Sequence, residues 1–459
     1  MTLHLRRTAL AVLLAAAVLG CAGQASAQAF RITPEGEVLQ GRPVAVRLEG
    51  LMPDAAVTIR AERRFGRPAQ VYASSAVYQA DASGVVDLQT SAPTAGDYVG
   101  ADAAGLFWSM TPTDRPLPED WRTGEVRLSA LVGDRVAAQG MTRLIGALAT
   151  VEAEDIPGFP SATLYRLPGG HPRPVIVILH GADGGVDASR RFGAKLASLG
   201  YAVVGLPYYS PDWGAYGPPK AIPDLPGSFI DIRIDQIGEL RDWLKTRPDV
   251  DADRLALFGG SKGAEFALIA ASRYPWITSI VAMAPSDLVW EGWGLEMVEA
   301  EGTRSSFSFQ GQPLPFMPYV GFVDGLLAGP DADLLKIHDD GRAAHPEREA
   351  AARIPVETFP GPVMLIAGDA DREWRSGQMA RNIHASRRSA GRETELLIYP
   401  EAGHDVGGDG WAPVTGEVAR GGGSAQANAH AQADAWPRVL AFLERTLRPG
   451  DVPAPSPLP

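Results

Sequence analysis

The chain contains one G-x-S-x-G pattern, Gly259-Gly260-Ser261-Lys262-Gly263. It follows the apolar run Arg254-Leu255-Ala256-Leu257-Phe258 and precedes a helical stretch opening near Ala264. A serine held in a tight strand-to-helix turn needs glycine on both sides, because neighbouring backbone passes close by. The following helix directs its first N–H groups at negative charge developing there. A serine hydroxyl is a poor nucleophile without a histidine to take its proton. The chain has eight histidines, and position separates them. His4 belongs to a targeting segment, His171 precedes the first strand of its set, and His180 reads as a residue that braces a loop. His338 and His345 lie in an insertion, and His384 stands beside Arg387 and Arg388 on a helical stretch that reads as solvated. His404, in Pro400-Glu401-Ala402-Gly403-His404-Asp405 after a late strand, is the expected base, with His430 in reserve. The acid is expected in Gly368-Asp369-Ala370-Asp371, after the preceding strand. Either aspartate could hold the histidine tautomer; Asp371, further past the strand end, is favoured over Asp369. The order is then Ser261, Asp371, His404. Two backbone donors complete such a site: the N–H of Lys262, and one from His180-Gly181-Ala182-Asp183-Gly184-Gly185, where Ala182 is favoured and Asp183 held in reserve. The side chain of Lys262 reads as solvated, with steering of an anionic substrate as the alternative.

The elements around these residues divide the chain. Residues 28–150 carry short alternating runs, Arg42–Leu48, Ala56–Ala61, Val71–Val77 and Gly124–Val132, between Gly, Pro, Asp and Ser turns. Such runs predict a small all-β sandwich. Residues 151–447 alternate strand and helix instead. Strands are expected at Val175–Leu179, Tyr201–Leu206, Arg254–Phe258, Ser279–Ala284, Val363–Ala367 and Glu395–Tyr399. Helices are expected over Asp187–Leu199, Ile232–Leu244 and about Ala427–Leu447. That rhythm predicts an α/β domain with a doubly wound, mainly parallel sheet. With a nucleophile elbow after its third strand, this is the α/β-hydrolase pattern. An aromatic and Pro-rich insertion, about 287–355, is expected over the strand ends, and residues 448–459 read as a frayed tail.

Composition bounds the chemistry. Net charge is −12 with no basic tract, which argues against nucleic acid as a partner. Arg6 and Arg7, the apolar run Thr8–Leu19 and Ala25-Ser26-Ala27 read as a signal peptide over 1–27, with Gln28 opening the mature chain. That run is too short to span a bilayer. Val18-Leu19-Gly20-Cys21 also resembles a lipobox, which would leave a lipid anchor on Cys21; soluble release is favoured. Either way export, to the periplasm or beyond, is expected. Cys21 is the sole cysteine, so a chain starting at Gln28 has neither disulfide nor cysteine nucleophile. No metal site or cofactor motif is read from the chain.

Several blocks are similar to the acyl-CoA thioesterase and bile acid-CoA:amino acid N-acyltransferase family, which joins an immunoglobulin-like domain to an α/β-hydrolase domain. Gly50-Leu51-Met52-Pro53 with Val57–Ala61, and Gly105-Leu106-Phe107-Trp108-Ser109-Met110, resemble its first domain. Gly260-Ser261-Lys262-Gly263 resembles its elbow, and Ile354-Pro355-Val356-Glu357 its approach to the acid strand. Gly368-Asp369-Ala370-Asp371-Arg372-Glu373-Trp374-Arg375-Ser376 resembles its acid loop, Tyr399–His404 its histidine loop, and Ala429–Trp436 its last helix. The resemblance places the catalytic acid on Asp371. Serine rather than cysteine at the elbow implies hydrolysis of a small-molecule acyl thioester or ester rather than transfer to an amino acid. Peptidase activity, or transfer to another non-water acceptor, is the alternative; a non-catalytic binding protein is the third reading. Export, His180 and Asp183 depart from the family pattern. So does the insertion's aromatic content (Trp290, Trp293, Phe307, Phe309, Phe316, Tyr319), for which a different acyl or alcohol pocket and plain packing are the two readings.

Overall fold

The computed structural model describes residues 27–217, 219–295, 304–329, 332–416 and 418–448. Most of the signal segment, with Arg6, Arg7 and Cys21, and the tail beyond Arg448 lie outside the described residues. No helix among the described residues is long and apolar enough to cross a membrane.

The N-terminal part is all β apart from the buried helical turn Gly105–Trp108. Ala56–Phe65 alternates buried and outward residues, and pairs antiparallel with Gln70–Gln79 on one side and Glu125–Val132 on the other. A second, three-stranded sheet carries Ala29–Thr33, Ala45–Glu49 and Val86–Asp87. Val46 and Leu48 of that sheet join Ile59, Tyr78 and Leu128 of the larger one in a single apolar cluster, as inward faces of two stacked sheets must.

The second part is built on an eight-stranded sheet: β1 (Glu152–Asp155), β2 (Thr163–Arg166), β3 (Arg173–Leu179), β4 (Ala202–Leu206), β5 (Val250–Gly260), β6 (Ser279–Met283), β7 (Val363–Gly368) and β8 (Thr394–Tyr399). Their order across the sheet is β1-β2-β4-β3-β5-β6-β7-β8. Strands β3 to β8 run parallel, and β1 and β2 form an antiparallel edge. The central strands are buried on both faces, which their unbroken Val, Ile and Leu runs require. The edge pair escapes a sequence reading because Glu152-Ala153-Glu154-Asp155 is polar; Arg166 and Arg247 hold its carboxylates. Ile232–Arg233, expected within a helix, instead pairs with Phe307–Phe309 of the insertion, and the helix runs from Gln236 to Leu244.

Helix α1 (Asp187–Ser198) follows β3, α2 (Lys262–Arg273) follows β5, α3 (Ser376–Ser389) follows β7 and α4 (Ala425–Leu447) closes the chain. The long loop between β8 and α4 is clamped between the two parts. Trp411 and Val414 sit in the sandwich core, Arg63 donates to the Trp411 carbonyl at 3.1 Å, and buried Lys195 pairs with Asp409. That anchorage matters because the same loop begins at the expected base.

Candidate active site

The elbow is visible in backbone terms. Ser261 stands between β5 and α2 at φ 55°, ψ −125°, a left-handed conformation that costs a non-glycine residue energy unless its surroundings enforce it. A Cβ on Gly259 would lie 2.1 Å from the Gly263 carbonyl oxygen, and one on Gly263 would lie 2.3 Å from that of Leu179. Both motif glycines are thus required by close backbone approach. The Ser261 N–H is fixed to the Met283 carbonyl at 2.9 Å, and its own carbonyl accepts from Ala264 and Glu265. Lys262 opens α2, so its N–H falls in the first turn, where donors have no intrahelical acceptor. The loop after β3 comes alongside: a Cβ on Gly181 would be 3.4 Å from Ser261 Cβ. Ala182 and Asp183 line the same cavity as Ser261. His180 braces this loop. Its Nδ1 donates to the Gly181 carbonyl at 2.8 Å, Nε2 accepts the Tyr208 N–H at 3.1 Å, and burial holds the ring down at about 4, hence neutral.

Asp371, not Asp369, meets His404. Asp371 is buried, and its Oδ2 accepts from His404 Nδ1 at 2.9 Å and from Ser376 Oγ at 2.5 Å. Its Oδ1 accepts the N–H groups of Glu373 at 2.8 Å and Trp374 at 3.2 Å. Asp369 faces out in a bidentate pair with Arg381 at 2.6 and 2.7 Å. His404 Nε2 is buried without a hydrogen-bond partner, 3.6 Å from Glu373 Oε2, in a cavity that Ser261 also lines. Burial pulls the His404 ring down, but the carboxylates of Asp371 and Glu373 outweigh it and hold the pKa up at about 9. His430, the reserve candidate, bridges to Asp102 of the sandwich at 2.8 Å.

Some residues that matter here carried no role in the sequence reading. Gly421, Gly422 and Gly423 lock the acid and base loops together: the Gly421 carbonyl accepts from both Arg372 and His404, and Asp371 bridges to Gly422. Asn428 Oδ1 accepts the Gly403 N–H at 2.7 Å. The run of three glycines before α4 was the available signal. Glu373 and Ser376 stood in a motif but had no assigned contact.

Two expectations need correction. Lys262 is not solvated: it is 2% exposed, pairs with Glu265 at 2.6 Å, donates to Ser306 Oγ at 2.9 Å and lies over the rings of Phe229, Trp293 and Phe307. The insertion supplies two of those rings, Trp293 and Phe307, and a segment before β5 the third, Phe229, so the sequence around the elbow could not reveal the box. His338, set aside by its position, forms part of the cavity wall, with Nδ1 donating to the Leu334 carbonyl at 2.7 Å and burial holding it neutral at about 4. Of the insertion aromatics, Trp293 and Tyr319 line the cavity, whereas Trp290 and Phe307 are fully buried in packing.

The strand order, the elbow after β5 and the loops after β7 and β8 define an α/β hydrolase. The chain belongs to the acyl-CoA thioester hydrolase/BAAT family: residues 41–130 match the family's N-terminal region and residues 237–449 its C-terminal region. Mouse acyl-coenzyme A thioesterase 6 is 27% identical over 93% of this chain and 99% of its own length. Mouse mitochondrial acyl-coenzyme A thioesterase 2 is 28% identical over 91% of this chain and 89% of its own length. Among solved structures, an acylaminoacyl peptidase of Pyrococcus horikoshii is 13% identical over 82% of this chain and 54% of that one, with a TM-score of 0.40.

Proposed function

We propose that the protein is an exported serine hydrolase that cleaves an acyl thioester or ester through an acyl-Ser261 intermediate. Ser261 Oγ attacks the acyl carbon while His404 Nε2 takes its proton, and Asp371 holds the imidazole in the tautomer that leaves Nε2 free to accept. The N–H groups of Lys262 and Ala182 receive the charge that forms on the acyl oxygen. His404 then returns the proton to the departing thiol or alcohol, and water attacks the acyl-serine by the same route in reverse. The observation that carries this reading is the His404–Asp371 bond at 2.9 Å, with Nε2 left unpartnered in the cavity that Ser261 lines. Ser261 and His404 are not in hydrogen-bond contact, and such contacts often close only when substrate binds. Membership of a family whose relatives are named acyl-coenzyme A thioesterases supports the acyl substrate.

The test is covalent. Fluorophosphonate should label the peptide holding Gly259–Gly263, and Ser261→Ala should abolish both labelling and turnover while the protein stays folded. An adduct elsewhere, or full turnover in Ser261→Ala, would refute the mechanism. Export is tested by intact mass in the native host. A chain starting at Gln28 supports release, a diacylglyceryl group on Cys21 means a lipoprotein, and retained Met1 refutes cleavage.

A further inference from the structure

The peptide between Gly181 and Ala182 is held by its carbonyl, which accepts from His180 Nδ1 at 2.8 Å and from the Gly184 N–H at 3.2 Å. In a planar trans peptide the C=O of one residue and the N–H of the next point to opposite sides. Two donors on the Gly181 oxygen therefore fix the direction of the Ala182 N–H, which meets no backbone acceptor among the described residues. Rotating this peptide by half a turn would reverse that N–H and break both bonds. Gly181, without a Cβ, offers such a rotation little steric resistance, so the two bonds decide the orientation.

The Gly184 bond closes the loop on itself, whereas the His180 bond depends on a second element. His180 follows β3 and Tyr208 follows β4, and the parallel pairing of these strands, Leu179 opposite Leu206, brings the two residues together. Their rings stack at 3.8 Å and 14°. The Tyr208 hydroxyl donates to the His180 carbonyl at 2.5 Å, and the Tyr208 N–H donates to His180 Nε2 at 3.1 Å. A backbone N–H can only donate, so Nε2 carries the lone pair and the ring's one proton sits on Nδ1, facing the Gly181 oxygen. Burial keeps the ring neutral. With both nitrogens engaged, it has none left for a reacting proton. The same segment lies against the elbow: a Cβ on Gly263 would be 2.5 Å from the His180 carbonyl oxygen, and one on Gly181 would be 3.4 Å from Ser261 Cβ.

We infer that His180, with its tautomer set by Tyr208, is a positioning residue for the oxyanion hole: it holds the Gly181–Ala182 peptide so that the Ala182 N–H meets the acyl oxygen when Ser261 attacks. This deepens, and rests on, the assignment of Ser261 as nucleophile. Two half-replacements of the ring test it. Asparagine can set an amide N–H in the place of Nδ1–H but leaves the Tyr208 N–H without an acceptor. Glutamine can accept the Tyr208 N–H in the place of Nε2 but leaves the Gly181 oxygen without a side-chain donor. Each forfeits one buried hydrogen bond, so a merely structural histidine would give similar losses in both. With p-nitrophenyl butyrate, kcat of His180→Gln should fall by about 10- to 1,000-fold, the upper end being the cost of removing an oxyanion donor outright. KM should stay within about threefold, because the charge arises only in the transition state. His180→Asn should keep a kcat at least about fivefold above that of His180→Gln. A trifluoromethyl ketone, whose adduct with serine puts a negative oxygen in the hole, should lose affinity for His180→Gln in step with kcat/KM. A smaller gap between the two folded variants, the reverse ranking, or unchanged ketone affinity overturns the inference. In the wild type, nitrogen NMR should show His180 protonated at Nδ1, and an Nε2–H ring overturns the inference without any variant. Ser261→Ala is assayed beside them. Turnover surviving in Ser261→Ala defeats the nucleophile assignment, whereas Ser261-dependent turnover that fails the His180 comparison defeats the positioning role alone.

Discussion

Replacing Asp371 by asparagine should disable the base without moving it. The carboxylate accepts four hydrogen bonds: two backbone N–H groups on Oδ1, and Ser376 and His404 on Oδ2. An amide offers a single oxygen. The backbone N–H groups of Glu373 and Trp374 cannot reverse, so they claim it and leave the NH₂ facing Ser376 and His404. Ser376 can rotate its hydroxyl and accept. The imidazole can accept at Nδ1 only as its Nε2–H tautomer, which has no lone pair left for the Ser261 proton. The expected fall in kcat is about 10⁴-fold, the scale seen when a triad aspartate is amidated, or about 5.4 kcal/mol of barrier. Asp369→Asn is the control. Its partner Arg381 is surface-exposed, and such pairs contribute ~1 kcal/mol or less, so kcat should stay within about twofold. The assay is initial-rate hydrolysis of a p-nitrophenyl ester by purified mature protein, with circular dichroism confirming the fold. A folded Asp371→Asn protein retaining more than about a hundredth of wild-type kcat, or equal losses in the two variants, would refute the tautomer argument.

The charges around the site lead to further outcomes. Only neutral imidazole accepts a proton, so with the His404 pKa held at about 9 the kcat/KM of the free enzyme should climb with pH and level off above that value. Glu373→Gln removes one of the carboxylates that raise it; the limb should move towards neutral pH and kcat/KM at pH 7 should rise, each unit of displacement giving about tenfold. A limb that stays put would show that Glu373 does not act on His404. Lys262→Met leaves Glu265 buried without its cation and should cost about 3–5 kcal/mol in denaturant unfolding. Lys262→Met with Glu265→Gln should recover part of that loss, because the amide oxygen can still accept the Trp290 N–H that Glu265 now holds at 3.0 Å. Equal stability of Lys262→Met and wild type would contradict the buried pair.

What the sequence determined by itself was local and periodic. Unbroken apolar runs such as Val175–Leu179 and Val363–Ala367 announce strands buried on both faces, because no polar residue can be tolerated on either side. Gly259 and Gly263 around Ser261 announce the elbow, because only glycine lets the turn pass beneath Leu179. The edge strands Glu152–Asp155 and Thr163–Arg166 were not legible, since a half-exposed strand at a sheet edge carries little apolar pattern. Contacts between distant segments were decided only by the tertiary structure. Position past the strand end already favoured Asp371 over Asp369; the structure added the contact itself, with Asp371 buried on His404 and Asp369 turned out to Arg381. The crossing of Gly421–Gly423 with both loops and the burial of Lys262 in an aromatic box join residues tens of positions apart. Periodicity and motif spacing report on neighbours along the chain, whereas burial and hydrogen-bond partnership depend on what the rest of the fold brings against them.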